Sequence, residues 1–148
     1  MKINLSLVTT GIIGVTLALG FTGCGAKGKQ FTGFKTPTEG KGMVYVYRPS
    51  SFIGGGVYYD VKNKNNDDEV IGTLRNGGFI SKEMTPGKKI LWAKTEATST
   101  VAVDVKENDI VCIQGTVNMG LLVGRPDLKN VDKAVCEIEI KDTQESIE

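Results

Sequence analysis

The 148-residue chain has no histidine, one tryptophan, four prolines, three cysteines and no real surplus of either charge. Without histidine, Ser-His-Asp and Cys-His catalysis, His-ligated zinc and the usual general base near neutral pH are all excluded. Eighteen basic side chains against 17 acidic ones leave no excess to line a nucleic-acid backbone, so nucleic acid is not an expected partner. Three cysteines with no Cys-x-x-Cys spacing offer no zinc ligand set, and neither metal nor cofactor is expected.

What is present begins at the N-terminus. Lys2 precedes an uncharged, largely apolar run over residues 3–21, which leads into Phe21-Thr22-Gly23-Cys24. A basic start, an apolar stretch, small residues and then cysteine is the order of a bacterial lipoprotein signal. Residues 1–23 are therefore read as a signal helix that is cleaved, and Cys24 as the residue whose sulfur carries diacylglycerol. The rival is an uncleaved membrane anchor, since the run is nearly long enough to span a bilayer. Asn4, Ser6, Thr9, Thr10 and several glycines interrupt it, and no basic cluster follows it directly. Two or more acyl chains give stable membrane residence where one does not. Gly25, rather than Asp, follows the cysteine, which directs the reading to an outer membrane, facing the periplasm, in a cell with two membranes.

Cleavage leaves 125 residues, enough for one domain, with 17 basic and 17 acidic side chains. Residues 24–42 carry five glycines, Pro37 and four lysines without apolar periodicity. They read as a flexible tether with a span of about 25 Å, beginning at the lipidated Cys24. Residues 43–141 are punctuated by turn residues every eight to twelve positions, the pattern of an all-β fold. The expectation is an antiparallel β-sandwich, immunoglobulin-like or prealbumin-like, of seven or eight strands. Strands are expected at 43–48, 56–62, 69–74, 78–84, 88–94, 98–105, 110–117 and 134–140. Asn76-Gly77 predicts a hairpin, and Thr85-Pro86-Gly87 a type II turn. Residues 118–133 show no strand period, no helix is expected after the signal, and residues 142–148 read as a disordered tail.

The order Val44-Tyr45-Val46-Tyr47-Arg48-Pro49, Ile71-Gly72-Thr73-Leu74, Pro86-Gly87-Lys88, continuing into residues 120–128, resembles an uncharacterised bacterial lipoprotein family. The resemblance covers about residues 41–141. It implies a lipid-anchored β-sandwich with no established activity and no catalytic residues to transfer. Where that family shows an aromatic pair after the turn, this chain has Val111-Cys112.

Few side chains suggest chemistry. Cys112 and Cys136 fall in expected strands and, after export, pair as a disulfide or pack as two buried thiols. Arg48, Asp60 and Arg125 are candidates for surface recognition, both arginines standing before proline. Tyr45, Tyr47, Tyr58 and Tyr59 cluster but are expected chiefly in the core, as is Trp92. Asp67-Asp68-Glu69 lacks the spacing that wraps a calcium ion and reads as a solvated turn. Gly54-Gly55-Gly56 lacks the Lys-Ser/Thr of a phosphate loop. Two functions follow. The first is a non-enzymatic binding or structural module of the envelope, holding an envelope protein or glycan. The alternative is a small envelope hydrolase using carboxylate and arginine side chains, which requires Asp60, Arg48 and Arg125 to share a pocket.

Overall fold

A computed structural model describes residues 25–147; the signal segment and Cys24 lie outside the described residues. The chain forms β1 (Gly42–Tyr47), β2 (Tyr59–Asn63), β3 (Glu69–Leu74), β4 (Gly78–Met84), β5 (Gly87–Lys94), β6 (Thr98–Val105), β7 (Ile110–Asn118) and β8 (Arg125–Val131). After these come a short helix, α1 (Lys133–Glu139), a 3-10 turn (Ile140–Asp142) and β9 (Gln144–Glu145). Two sheets result, in the orders β8-β7-β1-β4-β9 and β3-β2-β5-β6. The fold is a β-sandwich, mostly antiparallel, and among the described residues parallel pairing is confined to β1 with β7 and β4 with β9.

Between the sheets lies the main core, with Val44, Val46, Ile80 and Ile113 from one sheet and Val61, Leu74, Leu91 and Val103 from the other. In β6, Val101, Val103 and Val105 point inward and their neighbours outward, as their alternation predicts. β1 departs from alternation because all six of its residues are buried. Its valines face the main core, whereas Met43, Tyr45 and Tyr47 enter a second cluster on the opposite face with Phe31, Phe79, Cys136 and Ile140. The five-stranded sheet is therefore covered on both sides.

That outer layer corrects three expectations. First, residues 25–42 are not a tether but a strap bound to the sheet. Phe31 is buried and stacks edge-on against Phe34, Tyr45 and Phe79, with centroids 5.3, 6.0 and 5.5 Å away. The strap's amides are bound too: Gly28 donates to the Glu145 carbonyl, Phe31 to that of Thr143, and Lys35 to the Tyr45 hydroxyl. The glycines and lysines disguise two phenylalanines, Phe34 partly buried and Phe31 buried, the latter worth about 1.5–3 kcal/mol.

Second, residues 133–139 form a helix, not a strand. Cys136 and Ile140 satisfy a two-residue period, but four positions is also one helical turn, and those two residues face the sheet while Ile138 is exposed. The helix is tied down at Cys136, which forms a disulfide with Cys112 of β7, Cα–Cα 6.1 Å. It is held again at Glu139, which accepts from the Tyr47 hydroxyl and the Gln114 amide. The two cysteines meet outside the sandwich, not across its core.

Third, the tail is ordered through Ser146. Gln144 and Glu145 pair with Gly78 and Phe79, and the Gln144 amide donates to the Gly77 carbonyl. β8 was likewise unexpected. Its Pro126 is tolerated because β8 is the edge of its sheet. The Asn76-Gly77 turn reverses the chain, with Gly77 at φ +64°, but joins strands of different sheets rather than a hairpin. Gly87, at φ +125°, likewise returns the chain to the second sheet. A turn signal sets the local reversal; which strands then pair is decided by core burial.

Candidate functional site at one end of the sandwich

At the end where β1 finishes, two loops stand side by side. Each is shaped by one charged residue that is spent on main-chain groups. Arg48 follows β1 and is buried, only 1% exposed. Its Nη1 donates to the Val57 carbonyl at 2.6 Å and its Nη2 to the Gly54 carbonyl at 2.7 Å, which fixes residues 49–58. Burial pushes the guanidinium pKa down from its ordinary value. Gly54 lies at φ +71°, a conformation that turns its carbonyl to Arg48 while its Cα rests on Val117.

Glu96 does the reciprocal task for residues 119–124. Its carboxylate accepts the amides of Leu121, Leu122 and Val123 at 2.7, 3.1 and 3.2 Å, and Arg125 Nε closes the ring at 3.1 Å. Donation by the Leu122 and Val123 amides holds the carboxyl down at about 2. Gly120 lies so close to the carboxylate and to the Val123 carbonyl that any side chain would collide with both. Thr95 adds a hydroxyl bond to the Gly124 carbonyl at 2.6 Å.

The two loops enclose an open groove of about 210 Å³ lined by Ile53, Val117, Met119, Leu122 and Val123. Around it the surface is apolar and bare. Phe52 is 101% exposed, Leu122 95%, Leu121 88% and Met119 81%, with Ile53 also exposed. Single exposed apolar residues are ordinary, whereas here five stand on two adjoining loops. Transfer of one such side chain out of water contributes about 1.5–3 kcal/mol.

The same end receives the start of the described chain. The Ala26 amide donates to the Asn76 carbonyl at 3.0 Å. The Asn76 side chain exchanges two hydrogen bonds with the backbone of Ser51, at 2.9 and 3.0 Å. Gly25 and Ala26 thus border the same hollow as Phe52.

The structure does not bring Arg48, Asp60 and Arg125 together. Arg48 is not a surface group: it is the internal brace of a loop. Asp60, on the outer face of β2, accepts from the Thr73 hydroxyl at 2.7 Å. Arg125 is at the surface, engaged by Glu96. Tyr45, Tyr47 and Tyr59 are buried, and burial raises the pKa of all three; Tyr58 is exposed, its ring under Arg75. Trp92 is not core. It lies on the outer face of the four-stranded sheet, with its indole N–H donating to Asp68 at 2.7 Å and Lys62 Nζ 5.1 Å above its ring. Among the described residues no group of three or more Cys, Asp or Glu is placed to hold a metal ion, and no helix is long and apolar enough to cross a membrane.

Neither the apolar tip nor Glu96 carries a motif in the sequence. The readable signal was Met-Gly-Leu-Leu-Val-Gly at 119–124, an apolar run held between glycines where no strand period exists. Comparison of the chain with protein-family models, curated proteins and solved structures gives no match.

Proposed function

We propose that the protein is a lipid-anchored component of a bacterial cell envelope, attached through Cys24, that works by contact rather than by turnover. The carrying observation is the apolar tip. Two charged residues that an enzyme would direct at substrate, Arg48 and Glu96, instead hold two loops rigid so that Phe52, Ile53, Met119, Leu121 and Leu122 stand free. The order of residues 1–24 supports export and acylation. The Cys112–Cys136 bond suits an oxidising compartment. The motif resemblance to uncharacterised lipoproteins agrees with this reading, and an outer-membrane location facing the periplasm follows from Gly25. A hydrolase would need Asp60, Arg48 and Arg125 in one pocket, and each has a different partner.

Labelled palmitate tests the proposal. The intact chain is expected to take up label and fractionate with membranes, and Cys24→Ala to do neither. An intact chain that stays unlabelled in the soluble fraction overturns it.

A further inference from the structure

We propose that the tip formed by Phe52, Ile53, Met119, Leu121 and Leu122 is a membrane-insertion surface, which seats the domain directly on the bilayer that holds its lipid. The inference rests on the lipid-anchor reading and adds to it an orientation and a second point of attachment.

The first argument is reach. Cys24 precedes Gly25 directly, and consecutive Cα atoms lie about 3.8 Å apart. The next residue, Ala26, is already bonded to Asn76. The acylated sulfur therefore leaves the folded surface within roughly one residue, with no slack to hold the domain clear of the headgroups. Acyl chains enter the bilayer, so the surface beside Asn76 and Ser51 lies at headgroup level. Phe52 stands there, and the rest of the tip continues from it through Ile53 to Leu122 and Val123.

The second argument is chemistry. Backbone entering an apolar phase must bring its own hydrogen-bond partners, because no water is there to supply them. Both tip loops do so. Arg48 takes the carbonyls of residues 54 and 57, and Glu96 takes the amides of residues 121–123. Within residues 49–58 the Gly55 amide donates to the Phe52 carbonyl and the Val57 amide to that of Gly54. The loops thus direct apolar side chains outward while the carbonyls of residues 52, 54 and 57 and the amides of residues 55, 57 and 121–123 are bonded within the protein. Phe and Leu are the side chains that interfacial elements bury at the boundary of headgroups and acyl chains.

The test uses the full acylated chain in phosphatidylethanolamine–phosphatidylglycerol vesicles with lipids brominated near the headgroup end of their acyl chains. Trp92→Phe leaves a background without tryptophan, into which Leu122→Trp or Lys106→Trp is introduced. Lys106 belongs to the turn beside Gly42, at the opposite end of β1. Emission from the Leu122→Trp chain is expected to fall about two-fold in brominated vesicles, as for an indole at the interface, and that of Lys106→Trp to stay unchanged. Mass measurement of the Cys24 peptide runs in parallel. A chain lacking diacylglycerol overturns the anchor reading and this proposal with it. An acylated, vesicle-bound chain whose Leu122→Trp emission is unquenched overturns the insertion surface alone. Quenching of Lys106→Trp instead also overturns it, because the domain then stands the other way up.

Discussion

The amide of Leu122 donates to Oε2 of Glu96 at 3.1 Å, across 26 positions of sequence. One carboxylate thereby determines the shape of a loop that has no strand or helix of its own. Its charge state is the loop's charge state. In the folded loop Glu96 titrates at about 2, against an ordinary 4.5. A depressed carboxyl contributes stability that is complete above the higher value and lost as pH falls through the lower one. The contribution of Glu96 to loop stability is therefore expected to be complete above about pH 4.5, to decline below it and to be lost below about pH 2. NMR shifts of the Leu122 and Val123 amides should report a midpoint near the lower value. Glu96→Gln should abolish the titration. A midpoint at the ordinary value would mean that the amides do not hold the carboxylate.

Arg48 makes the opposite bargain, a buried cation satisfied by carbonyls. Arg48→Ala strands two buried acceptors and opens a void, so a loss of about 3 kcal/mol or more is expected. Arg48→Lys cannot fork to both carbonyls and should recover only part of it. Urea unfolding measures both. A loss under about 0.5 kcal/mol for Arg48→Ala would place the side chain at the surface.

Cys112 and Cys136 close a loop of 24 positions. Their joint replacement by alanine, or reduction of the wild-type chain, should cost roughly 3 kcal/mol by the chain-entropy account. Amides of α1 should lose protection before those of β1, since Cys136 is the helix's buried residue and β1 lies in the middle of its sheet. Equal stability with and without reductant would argue against the cross-link.

The strap offers the sharpest contrast with a free tether. Phe31→Ala should cost about 3 kcal/mol, because the ring fills a cluster with Phe34, Tyr45 and Phe79. Thr32→Ala, at an exposed neighbour, should change little, within about 0.5 kcal/mol. A tether predicts no effect from either, and calorimetry separates the two outcomes.

Where one face of a strand is wet, the sequence was transparent. The valines of β6 alternate cleanly, and its bounds at Thr98 and Val105 are those read from the pattern. Legibility fails where burial is two-sided or distant. Residues 25–41 look polar because only Phe31 and Pro37 are fully buried there. The helix reads as a strand because Cys136 and Ile140 fit both periods. β8 is hidden by Pro126, which only an edge position excuses. At the tip, Arg48 and Arg125 stand out in the sequence by their place before proline, but their work is internal bracing and loop closure. Glu96 gave no local sign, since the amides it accepts lie 25–27 residues further on.

The pairing of Gln30 with Gln144 has a consequence in time. A chain made from its N-terminus presents residues 26–31 long before it presents 143–145, which hold them. Until then β4 keeps an unpaired edge and the Phe31 amide lacks its acceptor, the Thr143 carbonyl. The strap and the outer edge of β4 are thus completed only by residues 143–145, long after the segment they hold has been made. A product cut short after Asp142 would leave that edge open to strand addition and proteolysis.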